Sequence, residues 1–88
     1  MNLTILHAEM SYSKEDKYVG KVDFQLDNHK QAYEMSLYSK DRKDWMYSLH
    51  FLNASGSEEE ISKVEELIEQ NDDFFDQLLE AAVNTLEQ

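Results

Sequence analysis

Residues 18–27 read YVGKVDFQLD, and this stretch decides the fold because its apolar positions recur at every second residue. Tyr18, Val22, Phe24 and Leu26 share one side of the alternation with Gly20. Lysine, aspartate and glutamine fill positions 21, 23, 25 and 27 on the other side. Successive side chains of a strand point to opposite faces, so the pattern predicts a β-strand with one buried and one polar face.

Three further segments have the same period, at about residues 3–12, 32–39 and 45–52. In the first, Leu3 and Ile5 are out of phase with apolar positions 6, 8, 10 and 12. This predicts either a bulge near Ile5 or Leu6 or a start buried on both faces. Charged turns at 13–17, 27–30 and 40–44 separate the segments, and Asn28 suits the left-handed conformation. Turns this short join antiparallel neighbours, so we expect a four-stranded antiparallel meander in the order 1-2-3-4.

The apolar faces of the second, third and fourth strands supply the predicted core. It is centred on Phe24, Met35, Leu37, Trp45, Leu49 and Phe51. Truncating a large buried ring to alanine removes apolar burial and leaves a cavity. We therefore expect Trp45→Ala to lower the free energy of unfolding by about 3–5 kcal/mol.

After Gly56 the apolar period lengthens from two residues to between three and four, which predicts helices. Ser57 and Glu60 fit a capping box, in which each side chain accepts the backbone N–H of the other residue. Apolar positions 61, 64, 67 and 68 are followed, beyond a polar break at 70–73, by 75, 78, 79, 82, 83 and 86. Asn71 suits an N-cap, so we expect helices at about 58–70 and 72–87.

One unbroken helix over 58–87 is the alternative, since positions 61, 68, 75 and 82 keep a spacing of seven. It would be about 45 Å long, whereas the strands span about 25–30 Å, so a partner would have to cover the overhang. Two helices packed on one face of the sheet fit a monomer better. Residues 1–88 are expected to form a single α+β domain.

Charge is distributed unevenly along the 88 residues, whose formal net charge is −11. Residues 1–56 carry seven basic and eight acidic side chains, whereas residues 57–88 carry eleven acidic side chains and Lys63 as their one base. This excess argues against nucleic acid and against anionic membranes as partners, because clustered Lys and Arg bind both. The lack of cysteine excludes disulfides and thiolate metal sites and, with no apolar leader segment, favours the cytoplasm.

No catalytic or metal-binding motif stands out. The histidines His7, His29 and His50 are dispersed, and no serine lies in a glycine-flanked turn between a strand and a helix. Residues 23–34 place acids at the first, fifth and last positions of a calcium-loop spacing, but the strand alternation through Asp23 and Asp27 opposes that interpretation. We therefore expect no catalysis, no metal and no cofactor.

Two surfaces are candidates for binding a protein partner. The first is the acidic helical tail, which is either a solvated face or a docking surface for a basic protein. The second is the sheet face away from the helices, where an apolar cluster suits a partner contact or a homodimer. The candidate residues are Glu58, Glu59, Glu65, Glu66, Asp72 and Asp73 on the tail, and Tyr38, Met46 and Leu52 on the sheet.

The sequence thus favours a small regulatory or adaptor protein that acts by binding a protein partner. One alternative is an inhibitor that mimics nucleic-acid phosphates and occupies a basic nucleic-acid-binding protein, whose binding weakens steeply with salt. Another is a small-ligand binder that uses the open sheet face, for which a ligand would perturb Tyr38, Met46 and His50.

Overall fold

The computed structural model describes residues 2–87 as an antiparallel sheet followed by helices. The strands are β1 (Leu3–Ser13), β2 (Lys17–Leu26), β3 (Tyr33–Ser39) and β4 (Met46–Phe51), paired in the order β1-β2-β3-β4. Two helices follow, α1 (Glu58–Gln70) and α2 (Asp72–Val83), and then a 3-10 turn, Asn84–Glu87. The predicted α+β class, the antiparallel meander and the two C-terminal helices are confirmed.

The bulge predicted in the first strand is present. Ile5 pairs with Phe24 and His7 pairs with Asp23, which leaves Leu6 as the extra residue of β1. A bulge of this kind reverses the phase of the strand beyond it. It therefore explains why the apolar positions on the two sides of Leu6 do not follow one alternation.

One residue with positive φ lies at or beside each turn of the sheet. These residues are Lys17 at 64°, Asn28 at 69° and Arg42 at 66°. The left-handed conformation predicted for Asn28 is confirmed, because asparagine tolerates this region better than most residues do. In the β3–β4 turn the Ser39 hydroxyl accepts the backbone N–H of Arg42 at 2.9 Å, which compensates for the lack of a glycine there.

The helices cover one face of the sheet and leave the other open. Val22, Phe24, Met35 and Leu37 are at most 2% exposed and belong to the covered face. α2 packs against β1 and β2, α1 packs against β4, and the final 3-10 turn packs against β1. The alternate residues of each strand form the other side, which we call the open face.

The core joins the sheet to both helices. Its buried apolar residues are Met10, Val22, Phe24, Leu26, Tyr33, Met35, Leu37, Val64, Ile68, Phe74, Leu78 and Ala82. Trp45, Leu49 and Phe51 were predicted at its centre but are only half-buried, because they belong to the edge formed by β4 and the residue before it. The loss of 3–5 kcal/mol expected for Trp45→Ala therefore fits a fully buried ring such as Phe24 instead.

The edge strand β1 is also less buried than its pattern predicts. Leu6 and Tyr12 were predicted to share one face with Ala8 and Met10, yet they are 48% and 54% exposed. Leu6 lies in the bulge, and Tyr12 lies near the end of the β1–β2 hairpin. Only the middle of β1, at Ala8 and Met10, packs into the core cluster beneath α2.

Gly20 allows β1 and β2 to approach closely at this point. A Cβ atom at position 20 would lie 2.8 Å from the carbonyl oxygen of Glu9 and 2.8 Å from Cε of Met10. The first neighbour is backbone, so it could yield only by moving the edge strand. The absence of a side chain therefore lets Met10 fill the space above β2.

Side-chain caps separate the two helices, as predicted. The Ser57 hydroxyl accepts the backbone N–H of Glu60 at 3.3 Å, and Oδ1 of Asn71 accepts that of Phe74 at 3.2 Å. Asn71 itself is extended, with φ −122°, while its N–H donates to the carbonyl of Leu67 at 2.9 Å. One residue thus ends α1 and begins α2, which rules out the single long helix.

The buried stripe of α2 differs from its prediction at one aromatic residue. Phe74, Leu78 and Ala82 face the core and are at most 8% exposed. Leu78 and Ala82 were predicted in this stripe, whereas Phe75 was predicted there instead of Phe74. Phe75 is only half-buried.

Candidate functional site

The solvent side of α1 is acidic along its length. Val64 and Ile68 face the core, so the opposite side of the helix faces solvent. At 3.6 residues per turn, the exposed acidic positions of α1 fall within one arc of about 120° opposite this buried pair. They are Glu58, Glu59, Glu65, Glu66 and Glu69.

α2 continues the acidic surface. Asp73, Asp76 and Glu80 are spaced i, i+3 and i+7 on the side away from Leu78, and all three are exposed. Asp72 in the first turn is exposed as well. These four residues and the five glutamates of α1 form a surface that we call the helix acid face. All six acidic candidates named from the sequence belong to it.

The charge of the helix acid face is not balanced inside the molecule. The ion pairs described in residues 2–87 have Glu9, Glu34 or Glu60 as their acid. None of these acids belongs to the helix acid face, and Lys63 is the one base in residues 57–88. Exposed like charges without counter-charges create a negative potential that attracts a basic surface.

Some acids of the helix acid face lie at positions where they destabilise their own helix. A helix dipole favours acids in the first turn and bases in the last. The first turns conform, with Glu58, Glu59, Asp72 and Asp73. Neither last turn contains a base, and Glu69 lies near the negative end of α1.

Glu60, the third acid of the first turn, attaches α1 to the sheet. Its Oε1 accepts the backbone N–H of Lys30 at 3.2 Å and lies 4.0 Å from Nδ1 of His29. The same Nδ1 is 2.7 Å from the hydroxyl oxygen of Tyr33. The capping box predicted that Glu60 binds back to Ser57, but its carboxylate bonds to the β2–β3 turn instead. Burial, and then the Glu60 charge, raise the pKa of the Tyr33 hydroxyl.

A second tyrosine fixes the other end of α1. The Tyr47 hydroxyl donates a 3.3 Å hydrogen bond to Oε1 of Glu69. Burial raises the pKa of Tyr47, and the Glu69 and Glu65 carboxylates raise it further. Glu69 therefore has a local role in addition to its place on the helix acid face.

The open face carries a small apolar group at one end. Tyr38 pairs with Met46 on β4 and with Val19 on β2, and the last two are 67% and 44% exposed. A shallow depression of about 320 Å³ is lined by these three residues together with Ser36 and Ser48. Val19 was not among the predicted site residues, because its position alternates with apolar residues of the covered face.

Leu52 does not belong to this group. It follows the end of β4, six residues beyond Met46, and the residues between them form the strand. At about 3.3 Å per residue the two positions are about 20 Å apart. The predicted cluster of Tyr38, Met46 and Leu52 is thus divided between opposite ends of the open face, and Val19 takes the place of Leu52.

A polar row crosses all four strands on the open face, near the start of β3 and the end of β4. His7, Asp23, Glu34 and His50 are consecutive cross-strand neighbours on the four strands. The bulge in β1 brings His7 into this row. Asp23 is the most buried member, at 9% exposed, and its Oδ1 has no hydrogen-bond partner in the described structure.

Lys21 is the base closest along β2 to this row. Its Nζ lies 3.8 Å from Oε1 of Glu9 and 3.7 Å from Oε2 of Glu34. His7 lies 3.9 Å from Glu9 through Nε2. The ion pairs therefore involve the more exposed carboxylates on both sides of Asp23 and leave Asp23 out.

An aromatic group lies at the end of the β1–β2 hairpin. The ring centres of Tyr12 and Tyr18 are 4.7 Å apart, and those of Tyr18 and Trp45 are 6.4 Å apart. The Arg42 guanidinium lies 5.7 Å from the centre of the Tyr18 ring. These contacts hold the β1–β2 hairpin against the β3–β4 turn, and Tyr18 and Trp45 also pack against the edge of the core.

The described residues show neither a metal centre nor a membrane span. Within residues 2–87, no three His, Asp or Glu side chains are grouped as a metal ion requires. In the same part of the chain, no helix is both long and apolar enough to cross a bilayer. Comparisons of the chain with models of protein families, with curated proteins and with solved structures find no match.

Proposed function

We propose that this chain is a non-catalytic regulatory or adaptor protein of the cytoplasm, and that the helix acid face binds a basic segment of a protein partner. The observation that carries the proposal is the group of nine exposed acids on two adjacent helices, none of which belongs to an ion pair described in residues 2–87. Long-range attraction by such a surface accelerates encounter with a partner of opposite charge.

Solvation alone accounts for this surface less well. The first-turn acids are explained by the helix dipole, but Glu65, Glu66, Asp76 and Glu80 lie beyond the first turns. Like charges at i, i+4 destabilise a helix, as Glu65 with Glu69 and Asp76 with Glu80 do here. Charge kept at a cost to helix stability supports selection for binding.

The test compares two variants with the same change in net charge. The helix variant carries Glu65→Gln, Glu66→Gln, Asp76→Asn and Glu80→Gln, which leaves the caps and first turns intact. The control variant carries Glu15→Gln, Asp16→Asn, Asp27→Asn and Asp44→Asn, all exposed positions in the turns of the sheet segment.

Immobilised native protein and both variants are exposed to the same lysate, and captured proteins are eluted with rising salt. Each captured protein is then purified and its affinity measured by calorimetry. We expect a basic partner whose affinity falls more than about tenfold between 50 mM and 500 mM salt, because the Debye length shortens over this range. The helix variant should lose this binding, and the control variant should retain it.

Two outcomes contradict the proposal: equal binding by both variants, or affinity that does not change with salt. Competition by duplex DNA addresses the alternative of a nucleic-acid mimic, because a partner held through a nucleic-acid-binding groove is displaced by DNA. A basic partner that DNA does not displace supports an adaptor or regulator.

A further inference from the structure

Asp23, on the open face, has a buried carboxylate oxygen with no hydrogen-bond donor in the described structure. Val22 and Phe24 point into the core at 0% exposed, so Asp23 between them points to the open face. It is nevertheless only 9% exposed, and its cross-strand neighbours are His7 on β1 and Glu34 on β3. Its Oδ1 is buried and accepts no hydrogen bond in the described structure.

A buried charged oxygen without a donor is costly, and neighbouring side chains normally satisfy it. Lys21 is two residues away on the same face, yet its Nζ lies between Glu9 and Glu34, at 3.8 and 3.7 Å. We call Glu9, Lys21, Asp23 and Glu34 the Asp23 cluster. Three carboxylates and one ammonium give the Asp23 cluster a formal charge of −2, and this charge attracts a further cation.

We propose that the Asp23 cluster is a binding subsite for a guanidinium group carried on a short apolar stem, as in an arginine side chain. A guanidinium presents several N–H donors in one plane, so it can donate to Asp23 and Glu34 together. An ammonium is less suited, because the ammonium already present bonds to the outer acids and leaves Asp23 unsatisfied. A metal ion is disfavoured because no three ligating side chains in residues 2–87 are suitably grouped.

The surface beside the Asp23 cluster fits the stem of such a ligand. A depression of about 370 Å³ is lined by Glu9 and Lys21, which belong to the cluster, and by Ser11 and Val19 farther along the strands. A guanidinium at Asp23 could place its methylene groups at the Glu9 and Lys21 end of this depression, because Val19 is four residues, about 13 Å, from Asp23 along β2. Access requires movement of side chains alone, because both helices pack on the opposite face.

The proposal does not rest on the function proposed above, since the two surfaces lie on different sides of the sheet. The probes are ethylguanidinium chloride and a blocked tripeptide, N-acetyl-Gly-Arg-Gly-amide, and the comparison compound is ethylammonium chloride. The readout is the carboxyl ¹³C resonance of Asp23 in the full chain, followed by NMR at constant ionic strength.

We expect a saturable shift of the Asp23 resonance with both guanidinium probes and no saturation with ethylammonium. Asp23→Asn keeps the side-chain shape, and Glu34→Gln, at a more exposed position, provides a second variant in case the first does not fold. Both should weaken binding, followed on the backbone amides of β2, by about tenfold or more. Asp16→Asn, in the exposed β1–β2 turn, is the charge-matched control and should bind as the native chain does.

Tighter binding of the tripeptide than of ethylguanidinium assigns the guanidinium to a partner protein, and the reverse order assigns it to a small molecule. Equal shifts with ethylammonium, or unchanged binding by both Asp23→Asn and Glu34→Gln, would overturn the proposal. Without any probe, Asp23→Asn should unfold at an equal or higher urea concentration than the native chain. A large destabilisation would show instead that Asp23 already has a structural partner.

Discussion

The sheet segment and the helical segment carry comparable numbers of acidic side chains, eight in residues 1–56 and eleven in residues 57–88, but they differ in the accompanying bases. The first segment has seven bases and the second has Lys63 alone. On the sheet, Lys21 lies within 3.8 Å of Glu9 and Glu34, so repulsion is relieved locally. On the helices the described ion pairs include only Glu60, which faces the sheet.

The comparison distinguishes acids that stabilise the helices from acids that destabilise them. Acids in the first turns of both helices favour helix formation. Acids farther along, at Glu65, Asp76 and Glu80, oppose it, because each has a like charge four residues away. The helices must therefore be held in place by apolar packing and caps rather than by their surface charge, and the following predictions test this division.

The largest effect is expected from Leu78, through which α2 packs on the sheet. Leu78→Ala should lower the free energy of unfolding by about 3–4 kcal/mol, because Leu78 is 0% exposed and its removal leaves a cavity. Leu79→Ala is the matched control, since its side chain is half-buried, and should cost about half as much or less. Urea unfolding followed by circular dichroism measures both. Equal losses would mean that α2 is rotated from the orientation described.

A smaller effect is expected from the cap between the helices. Asn71→Ala removes the side-chain oxygen that accepts the N–H of Phe74, and should cost about 1 kcal/mol. Asn71→Asp retains a capping oxygen and should stay within about 0.5 kcal/mol of the native chain. The same urea titration applies. If Asn71→Ala were more stable than the native chain, continuous helix across position 71 would be favoured and the break would not be fixed by this cap.

The smallest effects, of opposite sign, are expected from single acids of the two regions. Glu80→Gln should raise the free energy of unfolding by a few tenths of a kcal/mol, about 0.3, because it removes repulsion from Asp76 and from the end of α2. Glu9→Gln should lower it by a similar amount, because it removes one of the two carboxylates that pair with Lys21. Both differences should shrink in 1 M salt. Thermal unfolding at low and high salt checks them, and effects of the same sign would contradict the comparison.

Local chemistry is what the sequence predicted best. The alternation in β2, the break in phase at Leu6, and the capping roles of Ser57 and Asn71 each depend on a few neighbouring residues. Physical rules of short range apply to such features directly. The fold class followed because these local features agreed with one another.

Features set by tertiary packing were predicted less well. Trp45 is a large aromatic residue typical of a core but lies beside an edge strand, and the buried aromatic residue of α2 is Phe74 rather than the predicted Phe75. Glu60 bonds to a turn thirty residues earlier in the chain, which no local pattern encodes. Of the candidate surfaces, the acids on the helices could be identified from spacing alone. The burial of Asp23 and the grouping of Val19 with Tyr38 and Met46 depend on strand register, whereas the separation of Leu52 from Met46 follows from their spacing along one strand.

The contact of α2 and the final 3-10 turn with β1 has a consequence for the order in which the molecule forms. β1 pairs with its neighbour through a short hairpin, but its cover consists of residues about seventy positions later in the chain. Each hairpin of the meander can close over a short loop, whereas docking of α2 on β1 must close a loop of about seventy residues. During synthesis on the ribosome, β1 emerges before the other strands of the sheet. Its apolar side chains Ala8 and Met10 therefore remain exposed to solvent for the longest time before α2 packs on them.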